Sequence, residues 1–298
     1  MKILLTGANG QVGWELRRTL ACLGEVVAVD SREMDLCDAD AIRRVVREVA
    51  PRVIVNPAAH TAVDKAESEA DLAYAVNAKA PGILAEEAEK LGALLVHYST
   101  DYVFDGSGRT DNCRPWREDD ATGPLNVYGA SKLAGEQAIQ AACQRHLIFR
   151  TSWVYGARGA NFLFTMRRLM RERPELKIVA DQIGAPTWSR MLAEATALIL
   201  SQQLSPARGA DRPEPWGVYH MTNTGETSWH GFAEAIQALD ASANLENKQA
   251  RLLPIPSSDY LTPAKRPLNS RLNNDKLARV FGVRLPDWRQ ALSLCMQS

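Results

Sequence analysis

Lys2-Ile3-Leu4-Leu5-Thr6-Gly7-Ala8-Asn9-Gly10-Gln11-Val12-Gly13 decides the fold of this 298-residue chain. A short apolar run ends in glycines spaced Gly-x-x-Gly-x-x-Gly, and a helical pattern follows over 11–23. Continuous apolarity marks a strand, here 3–6, buried on both faces. Glycines in the turn after it let the backbone bend sharply, approach a diphosphate and pack helix against sheet. The helix N-terminus adds unpaired N–H donors and a partial positive charge. An ordinary turn is the plainer reading. It loses weight because strand, glycines and helix are followed by Asp30, an acid at about the 20-residue distance where a carboxylate holds a ribose diol. A dinucleotide is therefore expected on Gly7, Gly10, Gln11, Val12, Gly13 and Asp30. Asp30 alone favours NADH, because it repels a 2′-phosphate. Ser31 and Arg32 follow it and can accept that phosphate, so NADPH or NADH is expected. Asp35 and Leu36 either border the adenine or belong to a helix-capping loop.

Working outward, short apolar runs at 26–29, 53–56, 94–99 and 146–150 alternate with helical patterns at 39–49, 69–78, 81–91 and 125–142. Such alternation builds βαβ units and a parallel sheet covered on both faces. The fold class expected is α/β: a Rossmann-type doubly wound parallel sheet over 1–155, then a smaller α/β substrate-binding lobe over 156–298. Later segments are free to return to the first domain. In the second half, 162–172 and 228–239 read as helices, the latter capped by Thr227 or Ser228. Residues 176–180 and 217–222 read as strands, 201–216 as a surface loop, and 253–273 as irregular but ordered.

Basic and acidic residues balance at 35 each, which leaves no electrostatic footprint for nucleic acid or membrane. There is no apolar run of transmembrane length and no signal-peptide pattern. The five cysteines (Cys22, Cys37, Cys113, Cys143, Cys295) form no Cys-x-x-Cys pair. They read as free thiols of a reducing, cytoplasmic compartment, with no metal site.

Tyr128-Gly-Ala-Ser-Lys132 puts a phenol and an ammonium one helical turn apart on one face. A neighbouring cation lowers a phenol's pKa of about 10 and equips it for proton transfer near neutrality. By itself the spacing also fits a solvated helical pair. Asn56-Pro-Ala-Ala-His60-Thr61 ends the third strand; Ala58 and Ala59 are small enough to lie beside a nicotinamide. His60 invites a catalytic role, but a structural one is preferred because Tyr128 already supplies an acid.

These pieces together resemble the extended short-chain dehydrogenase/reductases that act on nucleotide sugars. The resemblance spans the chain. Beyond the motifs above it includes Ser99-Thr100-Asp101-Tyr102-Val103-Phe104-Asp105-Gly106, Phe149-Arg-Thr-Ser-Trp153-Val-Tyr-Gly156, Asp181-Gln-Ile-Gly-Ala-Pro-Thr187 and Arg266-Pro-Leu-Asn-Ser-Arg-Leu-Asn273. The 99–104, 181–187 and 266–273 segments are similar to those of the family's keto-sugar reductases. Its dehydratases place Asp-Glu directly after the catalytic Thr, whereas Thr100 here precedes Asp101-Tyr102.

The resemblance implies reduction of dTDP-4-dehydro-6-deoxy-L-mannose by NADPH or NADH. Tyr128 would be the general acid. Lys132 would lower its pKa and bind the nicotinamide ribose, with His60 near the cofactor. Thr100 would hold the ketone oxygen, unless it only caps a loop. Val63, Asp101 and Trp153 would line the sugar pocket, Trp153 being otherwise a core residue. Gln182, Thr187 and Arg266 would take the dTDP moiety, Arg266 being otherwise a surface ion-pair partner. A 4-epimerase, a reductase of another keto-sugar and a non-catalytic subunit of the same fold are the alternatives. Some members dimerise through C-terminal acids that hold magnesium; this C-terminus has only Asp287. A monomer or weak homodimer is expected.

Overall fold

Six parallel strands lie in the order β2-β1-β3-β4-β5-β10 in the computed structural model, which describes residues 1–107, 114–205, 214–240 and 250–297. The strands are β1 (Lys2–Leu5), β2 (Glu25–Ala28), β3 (Val53–Asn56), β4 (Leu94–Thr100), β5 (His146–Thr151) and β10 (Gly217–His220). Side chains alternate across each strand, so the apolar runs bury both faces. Ile3, Leu5, Val53, Val55, Val96 and Phe149 pack on one face, joined by Leu16 of α1 (Gln11–Thr19) and Leu192 of α8 (Ser189–Leu204). Leu4, Ile54, Leu95 and Ile148 pack on the other. There they meet Ile42 of α2 (Ala39–Val49), Leu84 of α5 (Ala80–Leu91) and Ile139 of α6 (Val127–Ala142). The chain runs from β1 outward to β2 and then returns to β3, so strand order reverses between β1 and β3. Ligands of open α/β sheets bind at the carboxyl ends of strands at such a switch point.

The second half departs from its sequence reading at α8 and within 253–273, where residues 253–255 end strand Arg251–Ile255 and Asn269–Ser270 form another strand. Residues 201–204, read as loop, form the last turn of α8; residues 206–213 and Cys113 lie outside the described residues. Leu192, Ala193, Ala195, Ile199 and Leu200 of this helix pack in the same cluster as α1. Together with β10 and Leu277 and Phe281, they return to the main sheet. A separate core surrounds Tyr155, Leu163, Ile178, Phe232 and Trp288. It belongs to α7 (Phe162–Glu172), β7 (Glu175–Val179), α9 (Trp229–Leu239) and the C-terminal helix Trp288–Gln297, with β12 (Arg251–Ile255) paired to β7. Ser228 caps α9 by accepting from Gly231 N–H at 3.0 Å.

The helical segments read at 69–78 and 81–91 are continuous. A π-turn at Ala75–Lys79 joins α4 (Ala70–Tyr74) to α5. Its Asn77 side chain donates to His60 O and Ser131 Oγ, both at 3.0 Å, and accepts from His60 N–H at 2.8 Å. A Cβ on Gly135 of α6 would stand 2.1 Å from Asn77 O. The glycine thus lets α6 sit directly on the π-turn, and α6 is the helix that bears Tyr128 and Lys132.

Among the described residues, no helix is long and apolar enough to cross a membrane. Cys22, Cys37, Cys143 and Cys295 are in no disulfide.

Candidate active site

A cleft of about 720 Å³ opens at the carboxyl ends of β1, β3 and β4. One end is the glycine turn. A Cβ on Gly13 would lie 2.1 Å from Gly7 O, so only glycine lets α1 begin this close to the strand-end loop. Gly10 caps α1 without a side chain, which leaves the first N–H groups facing the cleft their residues line. This cradle suits a dinucleotide diphosphate. Ala58, Ala59 and Val63 form the wall, and Ser99, Thr100, Asp101, Tyr128, Lys132 and Trp153 the far end. Ser99 Oγ, Thr151 Oγ1 and Asp101 Oδ2 are buried there without a protein partner, as a polar ligand requires.

Asp30 accepts from Asn9 Nδ2 at 3.0 Å and Arg32 N–H at 2.8 Å. The Arg32 backbone bond, with its nearby charge, holds the carboxyl below its ordinary range. The Arg32 guanidinium is 89% exposed and 3.8 Å from Asp30. Asp35 accepts from Cys37 N–H at 2.9 Å, closing its own turn, and Leu36 packs against the core. Both residues lie in the loop before α2, which Asp38 caps.

Asn126 caps α6 by accepting from Gly129 N–H at 2.8 Å and donates to Lys265 O at 2.7 Å. This fixes the first turn, where Tyr128 sits. Thr100 ends β4; its hydroxyl donates to Asp101 Oδ1 at 3.1 Å and accepts from Tyr102 N–H at 3.2 Å. The Tyr128 phenol lies beside it in the same cleft. Thr100 thus caps the loop after β4 and lines the cleft with Tyr128.

Lys132 is not what sets the Tyr128 pKa in this geometry. Burial pushes the phenol up to about 12, and the Thr100 hydroxyl only partly offsets it. The Lys132 ammonium donates to Tyr98 O at 2.6 Å and faces His97 Nε2 at 3.1 Å. Its own pKa falls to about 8 because the nitrogen is desolvated. The proton therefore stays on Tyr128 at neutral pH, which a general acid requires. Burial likewise raises the Asp101 carboxyl to about 7.

His60 does not line the cleft. Asn77 binds its backbone and its ring meets Glu69 at 3.1 Å. Trp153 adopts a left-handed φ of 49° and stacks on Trp229 at 3.7 Å between ring centres. It is a wall of the cleft and not a core residue.

Gln182 and Arg266 line a second cavity of about 650 Å³, which shares Trp229 with the first. Gln182 accepts from Trp229 Nε1 at 3.1 Å and donates to Ser257 at 3.0 Å. Arg266 pairs with Asp64 at 2.8 Å, so it is both an ion-pair partner and a cavity residue. Thr187 lies in neither cavity. It is fully buried, donates to Ala185 O at 3.0 Å and is held in the β6–β9 pairing of Val154–Tyr155 with Thr187–Trp188. A ligand contact is sterically closed to it.

Tyr102, Asn9, Ser99, His97 and Trp229 were not singled out from sequence. Tyr102 packs edge-on against Tyr128 at 5.6 Å. Its adjacency to Thr100-Asp101 was the available signal; Trp229 carried none, being distant in sequence. No group of three metal-ligating side chains occurs among the described residues, and Asp287 accepts from Arg289 N–H at 2.8 Å.

The model of the RmlD substrate binding domain family matches residues 1–298. The chain belongs to this family. A dTDP-4-dehydrorhamnose reductase of Burkholderia thailandensis is 52% identical over 302 residues, covering 100% of this chain and 98% of the relative. A solved dTDP-4-dehydrorhamnose reductase from Clostridium acetobutylicum superposes with a TM-score of 0.88 at 36% identity, covering 100% of this chain and 99% of that one. A solved dTDP-4-dehydrorhamnose reductase from Bacillus anthracis in complex with NADP superposes with a TM-score of 0.87 at 35% identity, covering 99% of this chain and 98% of that one.

Proposed function

We propose that this chain reduces the 4-keto group of dTDP-4-dehydro-6-deoxy-L-mannose to give dTDP-L-rhamnose. The observation that carries the reading is the joining of a phosphate cradle to Thr100, Asp101, Tyr128 and Lys132 in one cleft, in a chain 52% identical to a protein of that activity. The nicotinamide of NADPH or NADH supplies a hydride to the sugar carbon. Tyr128 gives its proton to the ketone oxygen as negative charge develops there. Thr100 donates to the same oxygen and orients it. Lys132 stabilises the phenolate left on Tyr128 and keeps an N–H for the cofactor ribose. Asp30 takes the adenosine ribose diol, and Arg32 swings out to a 2′-phosphate. Trp153 and Val63 offer apolar faces to the sugar methyl, and Asp101 faces its hydroxyls.

The second cavity takes the dTDP moiety. Its Phe162, Leu176 and Ile178 suit a base, and Arg266 suits the diphosphate. The chain works as a cytoplasmic monomer or weak homodimer with no nucleic-acid or membrane partner. Residues 1–155 form the dinucleotide-binding domain, with 156–298 mainly the substrate lobe.

The test is incubation with dTDP-4-dehydro-6-deoxy-L-mannose and either coenzyme, following loss of reduced-nicotinamide absorbance. Stoichiometric oxidation and a dTDP-L-rhamnose product are expected. Turnover without net coenzyme consumption would instead indicate an epimerase.

Two further outcomes follow. Arg32→Ala should raise the Kd for NADPH more than that for NADH, measured by fluorescence titration; equal effects would remove Arg32 from the 2′-phosphate. Lys132 is a cation below about 8 and an amine above it. The pH profile of kcat/KM should therefore fall as pH rises through that value. A profile flat across that range would separate the rate from the Lys132 charge.

A further inference from the structure

Behind Lys132 runs a chain of buried polar groups that the proposed reaction does not use. Thr6 Oγ1 donates to Asn56 Oδ1 at 2.5 Å, and Asn56 Nδ2 lies 3.1 Å from His97 Nδ1. His97 Nε2 lies 3.1 Å from Lys132 Nζ. Thr6, Asn56 and His97 are all at most 1% exposed. In this structure Asn56 turns Oδ1 to the Thr6 hydroxyl and Nδ2 to His97. The NH₂ only donates, so His97 Nδ1 accepts. A neutral imidazole with an accepting Nδ1 carries its hydrogen on Nε2. Burial and the Lys132 charge keep this ring neutral. The group aimed at Lys132 is therefore a donor. An ammonium has no lone pair to receive it, whereas an amine has one.

We propose that Thr6, Asn56 and His97 form a directed hydrogen-bond chain, with His97 as the positioning residue that primes Lys132 to release its proton. The proposal rests on Tyr128 and Lys132 being the acid pair of the reduction. After Tyr128 has protonated the ketone oxygen, the proton of Lys132 passes to the phenolate. The resulting amine accepts His97 Nε2–H while still donating to Tyr98 O. Water entering the cleft restores the ammonium. The other charged or titratable groups near Lys132 are Tyr128 and Glu136 on α6. The Glu136 carboxylate is engaged by Arg150 of β5 at 2.7 Å, which limits its hold on the Lys132 charge. Asp101, following β4, faces Tyr128.

Nitrogen-15 histidine labelling of the wild-type protein tests the direction without substrate, so its failure is distinct from failure of the reductase assay. His97, assigned among the five histidines by difference with a His97→Gln sample, should show the Nε2–H tautomer on both sides of the alkaline limb. An Nδ1–H tautomer, or titration to imidazolium, would overturn the chain. His97→Leu removes the donor facing the ammonium. The alkaline limb of kcat/KM should then move up by on the order of one pH unit, with NADPH affinity retained. Thr6→Val releases the Asn56 amide and should move the limb the same way. If His97→Leu does not fold, Thr6→Val and the tautomer measurement decide. A limb that stays in place, or moves down, in every folded variant overturns the proposal.

Discussion

Tyr128→Phe is expected to lower turnover by on the order of 10²-fold or more, the range that a positioned general acid contributes. The ring should stay in place. It packs edge-on against Tyr102 at 5.6 Å, and the backbone of its turn is fixed by the Asn126 cap and by Ser131 Oγ donating to Tyr128 O at 2.8 Å. The cofactor cradle lies on other elements, so NADPH binding measured by fluorescence should change little. Only the hydroxyl that Thr100 meets is removed. Single-turnover rates with saturating substrate separate this loss from binding. A wild-type rate in Tyr128→Phe would mean that the proton comes from elsewhere. Asp101, whose carboxyl is raised to about 7 and which lines the same cleft, would then be next in line.

Glu136→Ala is expected to destabilise the fold by about 3–5 kcal/mol, because it leaves a buried guanidinium without its counter-ion. Arg150 on β5 grips both oxygens of Glu136 on α6, from Nε at 2.9 Å and Nη2 at 2.7 Å. The two side chains are 5% and 1% exposed. Behind the guanidinium lies the Phe104 ring, 5.1 Å from its carbon, with Trp116 stacked beyond at 4.7 Å. Little water can reach the orphaned charge. Thermal melts should show Tm lower by on the order of 10 °C. The double variant Glu136→Leu with Arg150→Met should recover much of the loss, since both charges then disappear together. A single variant that melts with the wild type would show that the pair contributes only specificity. The bond also ties α6 to the strand beside β4, so the single variant should lose activity faster than structure on warming.

The sheet and the cofactor turn were legible because each rests on local patterns. A run such as Val53–Asn56 is apolar without interruption, and only a strand buried on both faces needs that. The α8 helix was not legible. It is buried over much of its circumference, so its sequence lacks the one-sided stripe that marks a surface helix. Its last turn therefore merged with the polar segment after it. The π-turn at Ala75–Lys79 was hidden for a different reason. One extra residue in a helix leaves no compositional trace, and its purpose appears only in the contact of Asn77 with α6.

The candidate site divides in the same way. Tyr128, Lys132, Thr100 and the glycines stand at spacings set by one helix, one strand end and one turn, and sequence alone placed them. What it assigned to Lys132 was too simple. In the fold the ammonium is desolvated, donates to Tyr98 O and faces His97, and burial dominates the Tyr128 pKa. Thr187 shows the converse. Its motif is local, but a neighbouring strand and Asn223 bury it, which closes it to any ligand. The amino-acid pattern alone gave the alternation of strands and helices over the first half and which residues face one another within an element, because those follow from chain geometry. Only the tertiary structure decided which groups lose water and which partners they find instead. Desolvation depends on every element packed around a site, and for Tyr128, Lys132 and Asp101 it outweighs the pairwise chemistry that spacing reveals.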